Sequence, residues 1–411
     1  MQRMQKLGCD SVLVTMLVRN FLPIHKTRVV NIGVLVVLVI ALSLGVFLHQ
    51  KQQHAATNLP FPFIASVDTM KESMDTVNNQ LTDVQIADDV NLAATLNTTH
   101  ITVDTFYDYP GYMQRWVNAI RKTGKHVWFR PHFNAWQGQN GAAATMTPTQ
   151  YENAEQSFIL AHASLFQSGD IFDPCPEPEE SPYWVRTWGA SWSWQNAPNA
   201  GTDEYNTFIL ATTTIADTAF HHVGISGVVT TIHSMTAYFW ERPTALYDTT
   251  VKQLGVVAVD TYPDNTTTDP TTAAKARTDE LAVIESVRQV PIVNAELGYN
   301  TASTSIVDDS TQNTVLKAEL QAISQLNYVV GMNYWVGAGS SKIDGTRLFN
   351  GSSGHWILRP AAYTVAAYYA TQVMLTSITP APNFPNQQSS AIAVTRKIEP
   401  TVPRTTGRSM P

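Results

Sequence analysis

Eight strand-like runs alternate with helix-like segments along the chain, and this alternation limits the possible folds more than any other feature. The runs are residues 62–68, 100–107, 126–133, 170–177, 227–234, 256–263, 291–297 and 328–335. They are rich in β-branched and aromatic residues, as buried strands are. Amphipathic segments lie between most of them, among them residues 110–124, 147–166 and 270–289. Strands that alternate with helices predict a parallel sheet covered by helices.

A single (β/α)8 TIM barrel of class α/β accounts for this pattern best, and an open doubly wound sheet is the alternative. Eight βα units fit into about 310 residues, which is a typical barrel length. Polar or aromatic residues end many of the runs: Asp104, Arg130, His132, Glu177, His233, Asp260, Tyr262, Glu296, Asn333 and Trp335. A barrel gathers the carboxyl ends of its strands at one face, whereas an open sheet spreads them along a line. We therefore expect one barrel domain over residues 61–376.

The two ends of the chain are predicted to lie outside the barrel. Residues 29–48 form a stretch of twenty without a charged side chain, which is long enough for one transmembrane helix. Basic residues are concentrated in segment 1–28, so the positive-inside rule leaves that segment in the cytoplasm and the barrel outside. A cleaved signal peptide is the alternative, but no A-x-A site follows closely. Residues 49–60 are predicted to be a linker, and the Pro/Ser/Thr-rich residues 377–411 a disordered tail.

Composition excludes several classes of function. The formal charge is −7 and only 14% of residues are charged, so no basic surface is available to bind nucleic acid. The predicted membrane separates Cys9 from Cys175, the two cysteines of the chain, which leaves neither a disulfide nor a cysteine metal site. No Gly-rich phosphate loop is present. We therefore predict neither a cofactor nor a metal.

Two glutamates end runs that face each other across a predicted eight-stranded barrel. Glu177 lies in "CPEPEES" after the fourth run, and Glu296 lies in "NAELG" at the end of the seventh. Glycoside hydrolysis requires such a pair, in which a protonated carboxyl donates to the leaving oxygen and an ionised one attacks or stabilises the anomeric carbon. The alternative is that Glu296 is a solvated carboxylate at a strand end. The facing partner favours hydrolysis of a glycosidic bond.

These segments resemble the clan of retaining (β/α)8 glycoside hydrolases that includes the cellulase and mannanase families. The resemblance covers about residues 62–375 and rests on short motifs. It implies that Glu177, which precedes a proline, is the acid/base and that Glu296, near a glycine, is the nucleophile. It also implies that Tyr262 in "DTYP" supports the nucleophile and that Trp335 forms the floor of a sugar subsite.

One departure from the clan concerns the residue before the acid/base. The clan usually has an asparagine there that binds the sugar 2-hydroxyl, and this chain has Pro176. Either Asn134 or His132 replaces that donor, or the acid/base is Glu179 instead. Strand alternation puts positions 177 and 179 on the same side, so spacing does not separate Glu177 from Glu179. The departure also keeps open a non-catalytic glycan-binding barrel.

Further strand-end residues are predicted to contact the substrate. Trp136, at the end of the third loop, is a possible second sugar subsite, because sugar C–H faces stack on aromatic rings. His132 and His233 are placed to hydrogen-bond either a sugar hydroxyl or a catalytic glutamate, and the alternative is that each bonds only to backbone. Asp104 is a further candidate for substrate binding.

Charged strand-end residues need partners inside a barrel. A buried Arg130 must face a carboxylate, and Glu296 or Glu177 is the nearest candidate. An arginine beside Glu296 would keep that carboxylate ionised, as a nucleophile requires. Asp104 and Asp260 are equally interpreted as interior salt-bridge partners. The sequence thus predicts a membrane-anchored retaining glycosidase that faces away from the cytoplasm and acts on a polysaccharide.

Overall fold

Eight parallel strands form one sheet in the described part of the computed structural model, which comprises residues 63–189, 192–262, 267–299, 308–339 and 346–378. The strands are β1 Ile64–Asp68, β2 His100–Val103, β3 His126–Phe129, β4 Ile171–Phe172, β5 Ser234–Thr236, β6 Val257–Thr261, β7 Ile292–Leu297 and β8 Val329–Tyr334. Their order is β4-β3-β2-β1-β8-β7-β6-β5. Each strand overlaps one of the eight predicted runs. A small antiparallel pair, β9 Phe349–Asn350 and β10 Ile357–Leu358, lies outside this sheet.

The two outer strands of this order, β4 and β5, are joined through the segment that leads into β5. Ile171 of β4 forms a parallel bridge with Val229, and the N–H of Phe172 donates to the carbonyl of Val229 at 2.8 Å. The N–H of Glu177 donates to the carbonyl of Ser234 at 2.9 Å. An open sheet would leave both edges unpaired, so the sheet curls as in a (β/α)8 barrel.

Helices connect the strands and cover the sheet. They are α1 Met70–Ser73, α2 Asp83–Thr95, α3 Pro110–Lys122, α4 Asn134–Gln137, α5 Pro148–Ala161, α6 Pro182–Trp188, α7 Thr202–His222, α8 Ala237–Trp240, α9 Asp248–Leu254, α10 Pro270–Arg288, α11 Asp309–Ile323 and α12 Pro360–Ile378. The three helices predicted from the sequence correspond to α3, α5 and α10. Helix α5 is shorter than its predicted range because it ends at Ala161 and a 3-10 turn follows at Ala163–Leu165.

Side-chain alternation divides the sheet into an apolar and a polar layer on one face. Along β1, Ile64 and Asp68 point to the same face, as do Trp128 and Arg130 at the end of β3. Ile64 and Trp128 belong to one buried apolar cluster, while Asp68 and Arg130 form a buried ion pair at 3.0 Å. The apolar layer therefore lies toward the amino ends of the strands, and the polar layer lies at their carboxyl ends.

A register shift between β6 and β7 places two acidic residues side by side. Val259 pairs with Asn294, but the next residue of β6, Asp260, pairs with Glu296. The extra residue in β7 re-aims the side chains that follow it. As a result, Glu296 lies beside Asp260 at the carboxyl end of the sheet.

The predicted segments at the two chain ends fall largely outside the described residues. This applies to residues 1–28, 29–48 and 49–60, and to the tail after Ile378, where α12 ends. Within the part of the chain that the structure describes, no helix combines the length and apolarity needed to cross a membrane. The membrane anchor and the domain boundaries therefore stay predictions.

Candidate active site

Three acidic side chains meet at the carboxyl ends of the strands. Glu177, Asp260 and Glu296 each place one carboxylate oxygen within 4.8 Å of the other two. Glu177 reaches this position from a turn after β4, where its backbone is left-handed with φ 46° and ψ 52°. Such a conformation is uncommon for a residue with a side chain and concentrates at functional sites.

The carboxylate of Glu296 is held by two partners. Nη2 of Arg130 lies 2.7 Å from its Oε1, and the hydroxyl of Tyr262 donates to its Oε2 at 3.1 Å. Glu296 is buried, with 8% exposure. An ion pair and a hydrogen bond from a neutral hydroxyl therefore stabilise the negative charge on this side chain and fix its orientation.

Arg130 is shared among several acidic groups. Its Nη1 lies 3.0 Å from Asp68 and 3.9 Å from Asp104, and its Nη2 also donates to Oγ of Ser234 at 3.0 Å. Burial alone would lower the pKa of Arg130, but Glu296, Asp104 and Asp68 raise it well above its ordinary value. The guanidinium is thus permanently charged. The contact of Asp104 with Arg130 supports the interpretation of Asp104 as an interior salt-bridge partner rather than a substrate contact.

Glu177 has a higher proton affinity than an ordinary glutamate. Burial, and then the negative charge of Glu296, raise the pKa of Glu177 to about 8, although Arg130 opposes the rise. The Glu177 side chain is partly exposed, so a molecule in the barrel mouth can reach it. The cluster therefore pairs a carboxylic acid with a carboxylate.

Glu179 is held in the wall of the barrel rather than in this cluster. Its Oε1 accepts the N–H of Thr236 at 2.9 Å, and its Oε2 accepts the hydroxyl of Tyr205 at 3.5 Å. Its exposure is 9%, and burial raises its pKa to about 8. Proton affinity alone thus does not separate Glu179 from Glu177. Position separates them, because Glu177 lies in the cluster with Glu296 whereas Glu179 is bonded in the wall. This position favours Glu177 as the acid.

Trp335 lies next to Tyr262 at the end of β8. The two rings meet edge to face, with their centroids 6.4 Å apart. The indole N–H of Trp335 donates to the sulfur of Met70 at 3.4 Å, and Nζ of Lys71 lies 5.5 Å from the ring centroid. These contacts hold the indole beside the residue that supports Glu296.

The structure contradicts the predicted sugar subsite at Trp136. This residue has no exposed surface, and its ring packs 5.0 Å from Phe208 and 5.1 Å from Tyr151. Its position in the short helix α4 turns the ring toward α5 and α7 rather than toward the mouth. Trp136 therefore belongs to the core.

The predicted substrate contact of His233 is also wrong. His233 is fully buried, its Nε2 bonds to Oγ1 of Thr213 in α7 at 2.7 Å, and burial lowers its pKa to about 3. The neighbouring Ser234 binds Arg130 on the interior face. Alternation therefore points His233 to the helix layer.

His132 and Asn134 lie beyond β3, and their hydrogen bonds are to other groups than the carboxylate cluster. His132 pairs with Gln139 at 3.2 Å, and burial lowers its pKa to about 4, so its ring is neutral. The N–H of Asn134 donates to Asp108 at 2.9 Å. Neither side chain forms a described bond to Glu177 or Glu296. Their role as a replacement donor stays a prediction.

Sequence reasoning missed the place of Asp260 in the cluster. It interpreted Asp260 as a salt-bridge partner, but within the described residues Asp260 forms no ion pair and neither of its carboxylate oxygens has a hydrogen-bond partner. The signal was the spacing to Tyr262, because residues two apart on a strand share a face. Support from Asn333, which donates to Asp68 at 2.8 Å, was also missed.

The three clustered oxygens are of the type that divalent cations bind. A carboxyl must be ionised to act as a metal ligand. Burial raises the pKa of both Glu177 and Asp260, and Arg130 already neutralises Glu296. A cation at this position would therefore have to displace protons from Glu177 and Asp260 and compete with Arg130 for Glu296.

No protein-family model matches the chain, and no curated protein matches it significantly. Solved structures do share its fold. GH5_18 from Streptomyces cattleya, in complex with Manβ1-4GlcNAc, has a TM-score of 0.55 at 13% identity over 79% of this chain and 83% of that one. GH5_18 from Bifidobacterium longum subsp. longum, with the same ligand, has a TM-score of 0.53 at 11% identity over 76% and 78%. An exo-β-1,4-mannosidase from an Opitutaceae bacterium has a TM-score of 0.52 at 10% identity over 76% and 60%.

At these identities, the likeness establishes a shared fold and nothing finer. The eight-stranded parallel sheet is one on which glycoside hydrolases are built. Because one fold supports many activities, the function of this chain has to be inferred from its own side chains.

Proposed function

We propose that this chain is a glycoside hydrolase that cleaves O-glycosidic bonds of an oligosaccharide or polysaccharide with retention of configuration. The observation that carries the proposal is the placement of carboxylate oxygens of Glu177 and Glu296 within 4.8 Å of each other, with the pKa of Glu177 raised to about 8 and Glu296 paired with Arg130. Retaining enzymes hold their carboxyl groups about 5–5.5 Å apart, whereas inverting enzymes need about 6.5–9.5 Å to admit a water. Glycoside hydrolases share this fold, which supports hydrolysis of a glycosidic bond.

In the first step, the carboxylate of Glu296 attacks the anomeric carbon while Glu177 donates its proton to the leaving oxygen. The glycosidic C–O bond breaks as an ester forms between the sugar and Glu296. Arg130 and Tyr262 hold Glu296 in the charged, oriented form that attack requires.

In the second step, Glu177 is a carboxylate and acts as the base. It accepts a proton from a water molecule whose oxygen attacks the anomeric carbon, and the ester bond to Glu296 breaks. Glu177 has then regained its proton, Glu296 has regained its charge, and two inversions leave the configuration unchanged.

Turnover of a substrate panel tests this proposal. We would incubate the protein with β-mannans, β-glucans, xylans and the disaccharide Manβ1-4GlcNAc, which is the ligand of two structural neighbours. Proton NMR during the first minutes reports the anomer that is released, and we expect the configuration of the substrate. Release of the opposite anomer would contradict the retaining mechanism. Retention on a polysaccharide without turnover would favour the non-catalytic glycan-binding barrel, for which Pro176 is the supporting feature.

The pH dependence of kcat/KM is expected to be bell-shaped with its alkaline limb near pH 8. Only the protonated form of Glu177 donates, and its pKa is raised to about 8, so activity falls as the pH rises through that value. The same raised pKa means that Glu177 stabilises the fold most below its unfolded pKa, and that this contribution is lost as the pH rises through about 8. Initial rates across about pH 4–10 would measure where the alkaline limb of kcat/KM lies. A limb below pH 6 would contradict the assignment of Glu177.

Trp335 is expected to form a sugar platform. Replacing it with Ala should weaken oligosaccharide binding by about 1–3 kcal/mol, the scale of a lost aromatic contact. Isothermal titration in the Glu296→Ala background would measure this without turnover. The matched control is Trp136→Ala, which should cost about 3–5 kcal/mol of stability and leave the affinity of the folded protein unchanged. If Trp136→Ala lost affinity for the oligosaccharide and Trp335→Ala did not, Trp335 would not be part of the sugar-binding groove.

We also propose that residues 29–48 anchor the enzyme in a membrane with the barrel outside the cytoplasm, as their apolar sequence and the preceding basic residues indicate. Deleting residues 1–56 should then give a water-soluble protein with unchanged kcat/KM. Fractionation and rate measurements would check this. A truncated protein that does not fold would show that the deleted segment belongs to the domain.

A further inference from the structure

Asp260 is a third acidic residue between the two proposed catalytic glutamates. It pairs in register with Glu296, and one of its oxygens lies within 4.8 Å of both Glu177 and Glu296. The residue is 6% exposed, its two oxygens are covered, and neither has a hydrogen-bond partner. A buried carboxyl without a hydrogen-bond partner lowers the free energy of unfolding and is uncommon. Its presence therefore calls for an explanation, such as a role in catalysis.

The charged and titratable groups that face Asp260 are three glutamates and one arginine. Glu177 and Glu179 approach from the turn after β4, Glu296 from β7, and Arg130 from the end of β3. The guanidinium of Arg130 is already bonded to Asp68 and Glu296. Burial and then the charge of Glu296 raise the pKa of Asp260 well above its ordinary value. Arg130 opposes this rise, but burial and the neighbouring acids outweigh it and favour the protonated form of Asp260.

We propose that Asp260 is a positioning residue whose carboxylic O–H donates a hydrogen bond to whichever of Glu296 and Glu177 is negatively charged. This inference rests on the proposed retaining hydrolysis. In the free structure neither oxygen of Asp260 has a hydrogen-bond partner, so the bond to Glu296 forms when substrate binding rearranges the cluster. After Glu296 has formed the sugar ester and Glu177 has given up its proton, the acceptor is Glu177.

The proton stays on Asp260 throughout, and no bond to Asp260 forms or breaks. Rotation of a carboxyl group about its broad terminal torsion moves each oxygen by roughly 1.5 Å before the two oxygens exchange places. That movement closes a gap of at most 4.8 Å to a hydrogen bond. Catalytic hydrogen bonds are often long in the free enzyme and shorten in the complex with substrate. The covered oxygens of Asp260 argue for this indirect role over a contact with the sugar.

Asp260→Asn and Asp260→Ala test the proposal with an activated aryl glycoside. The amide keeps a neutral donor of the same shape, so the alkaline limb of kcat/KM should stay near pH 8, with a rate loss below about tenfold. The alanine variant lacks the donor, and its rate per active site should fall about 10- to 100-fold, the effect of removing a hydrogen bond to a charged group. The amplitude of the pre-steady-state burst counts active sites and so separates this rate from the folded fraction.

The matched control is Asp89→Ala. Asp89 is a buried acid on α2 whose pKa is raised to about 8 by burial, and it lies outside the cluster. Its replacement should lower stability while the alkaline limb and the rate per active site stay unchanged.

Two results would overturn the inference while the proposed hydrolase stands. If Asp260 were ionised, Asp260→Asn would remove a negative charge near Glu177, and the alkaline limb would move down by about one unit or more. If Asp260 were only structural, Asp260→Ala would reduce the burst amplitude and leave the rate per active site unchanged. A wild-type protein without any turnover would instead contradict the proposed function, and this inference with it.

Discussion

Replacing Glu296 and Glu177 with Ala is expected to inactivate the protein in two different ways. Without the Glu296 carboxylate no covalent attack takes place, so Glu296→Ala should be nearly inactive on every substrate. Without Glu177 the leaving oxygen is not protonated, so Glu177→Ala should lose about a hundred- to ten-thousandfold of its activity on a polysaccharide. It should keep appreciable activity on an aryl glycoside whose leaving group departs without a proton. Steady-state rates on both substrate types would measure the contrast.

The pH profile of Glu177→Ala adds a second readout. The alkaline limb should flatten, because the group with a pKa of about 8 has been removed. Glu179→Ala is the matched control, since Glu179 has a pKa of about 8 as well but bonds to Thr236 and Tyr205. If Glu179→Ala gave the leaving-group dependence instead, the acid would be two residues further along. If neither change mattered, the hydrolase proposal would fail.

Replacing Arg130 with Met is expected to damage both stability and activity. The change removes the cation that contacts Asp68, Asp104 and Glu296, and leaves these buried acidic groups without that counter-charge. Breaking such a buried network by removing one partner costs about 3–5 kcal/mol of unfolding free energy. Glu296 also loses the contact at 2.7 Å that stabilises its charge, so kcat/KM should fall steeply.

Urea unfolding at several pH values would measure the effect of Arg130→Met. The stability deficit should shrink at acid pH, because protonation of the carboxyl groups removes the uncompensated charge. Arg130→Lys is the control, since it keeps the charge but not the planar fork that binds several carboxylates at once, and it should lose less stability. A deficit below about 1 kcal/mol that does not change with pH would contradict the network, since buried pairs exceed that scale.

The barrel fold was predicted from local patterns and strand-end residues, but the strand pairing that closes it was not. Alternating strands and helices predicted the parallel sheet, and each strand overlaps its predicted run. The fifth run shows the limit of this reasoning. Its predicted range, 227–234, contains Val229, which bridges to β4, while β5 itself begins only at Ser234. A bridge between residues far apart in sequence depends on how the whole sheet curls, and local periodicity does not report that.

Strand ends predicted the site better than loops did. Glu177, Glu296 and Arg130 meet because the carboxyl ends of parallel strands share one face. The prediction for Trp136 failed because the short helix α4 sets the direction of its side chain. The prediction for His233 failed because alternate residues of a strand point to opposite faces, and the neighbouring Ser234 faces the interior. Both side chains are buried in the helix layer.

Two further features of the site depend on tertiary structure. The sequence left Glu177 and Glu179 equivalent, and the left-handed backbone of Glu177 separates them in the structure. Asp260 joined the cluster through a register shift between β6 and β7, which depends on pairing between strands. A single left-handed turn has no clear signal in this sequence, and the spacing from Asp260 to Tyr262 indicates a shared face but not the shift in strand pairing.

The most direct measurement is the mass of the protein after reaction with a 2-deoxy-2-fluoro glycoside that carries an activated leaving group. The fluorine slows both steps, and the good leaving group restores the first, so a glycosyl-enzyme ester should accumulate. Peptide mapping is expected to locate one added sugar on Glu296, and Glu296→Ala should gain no mass. A sugar on another residue, or turnover of the natural substrate without any covalent adduct, would contradict the two-step mechanism with Glu296 as its nucleophile.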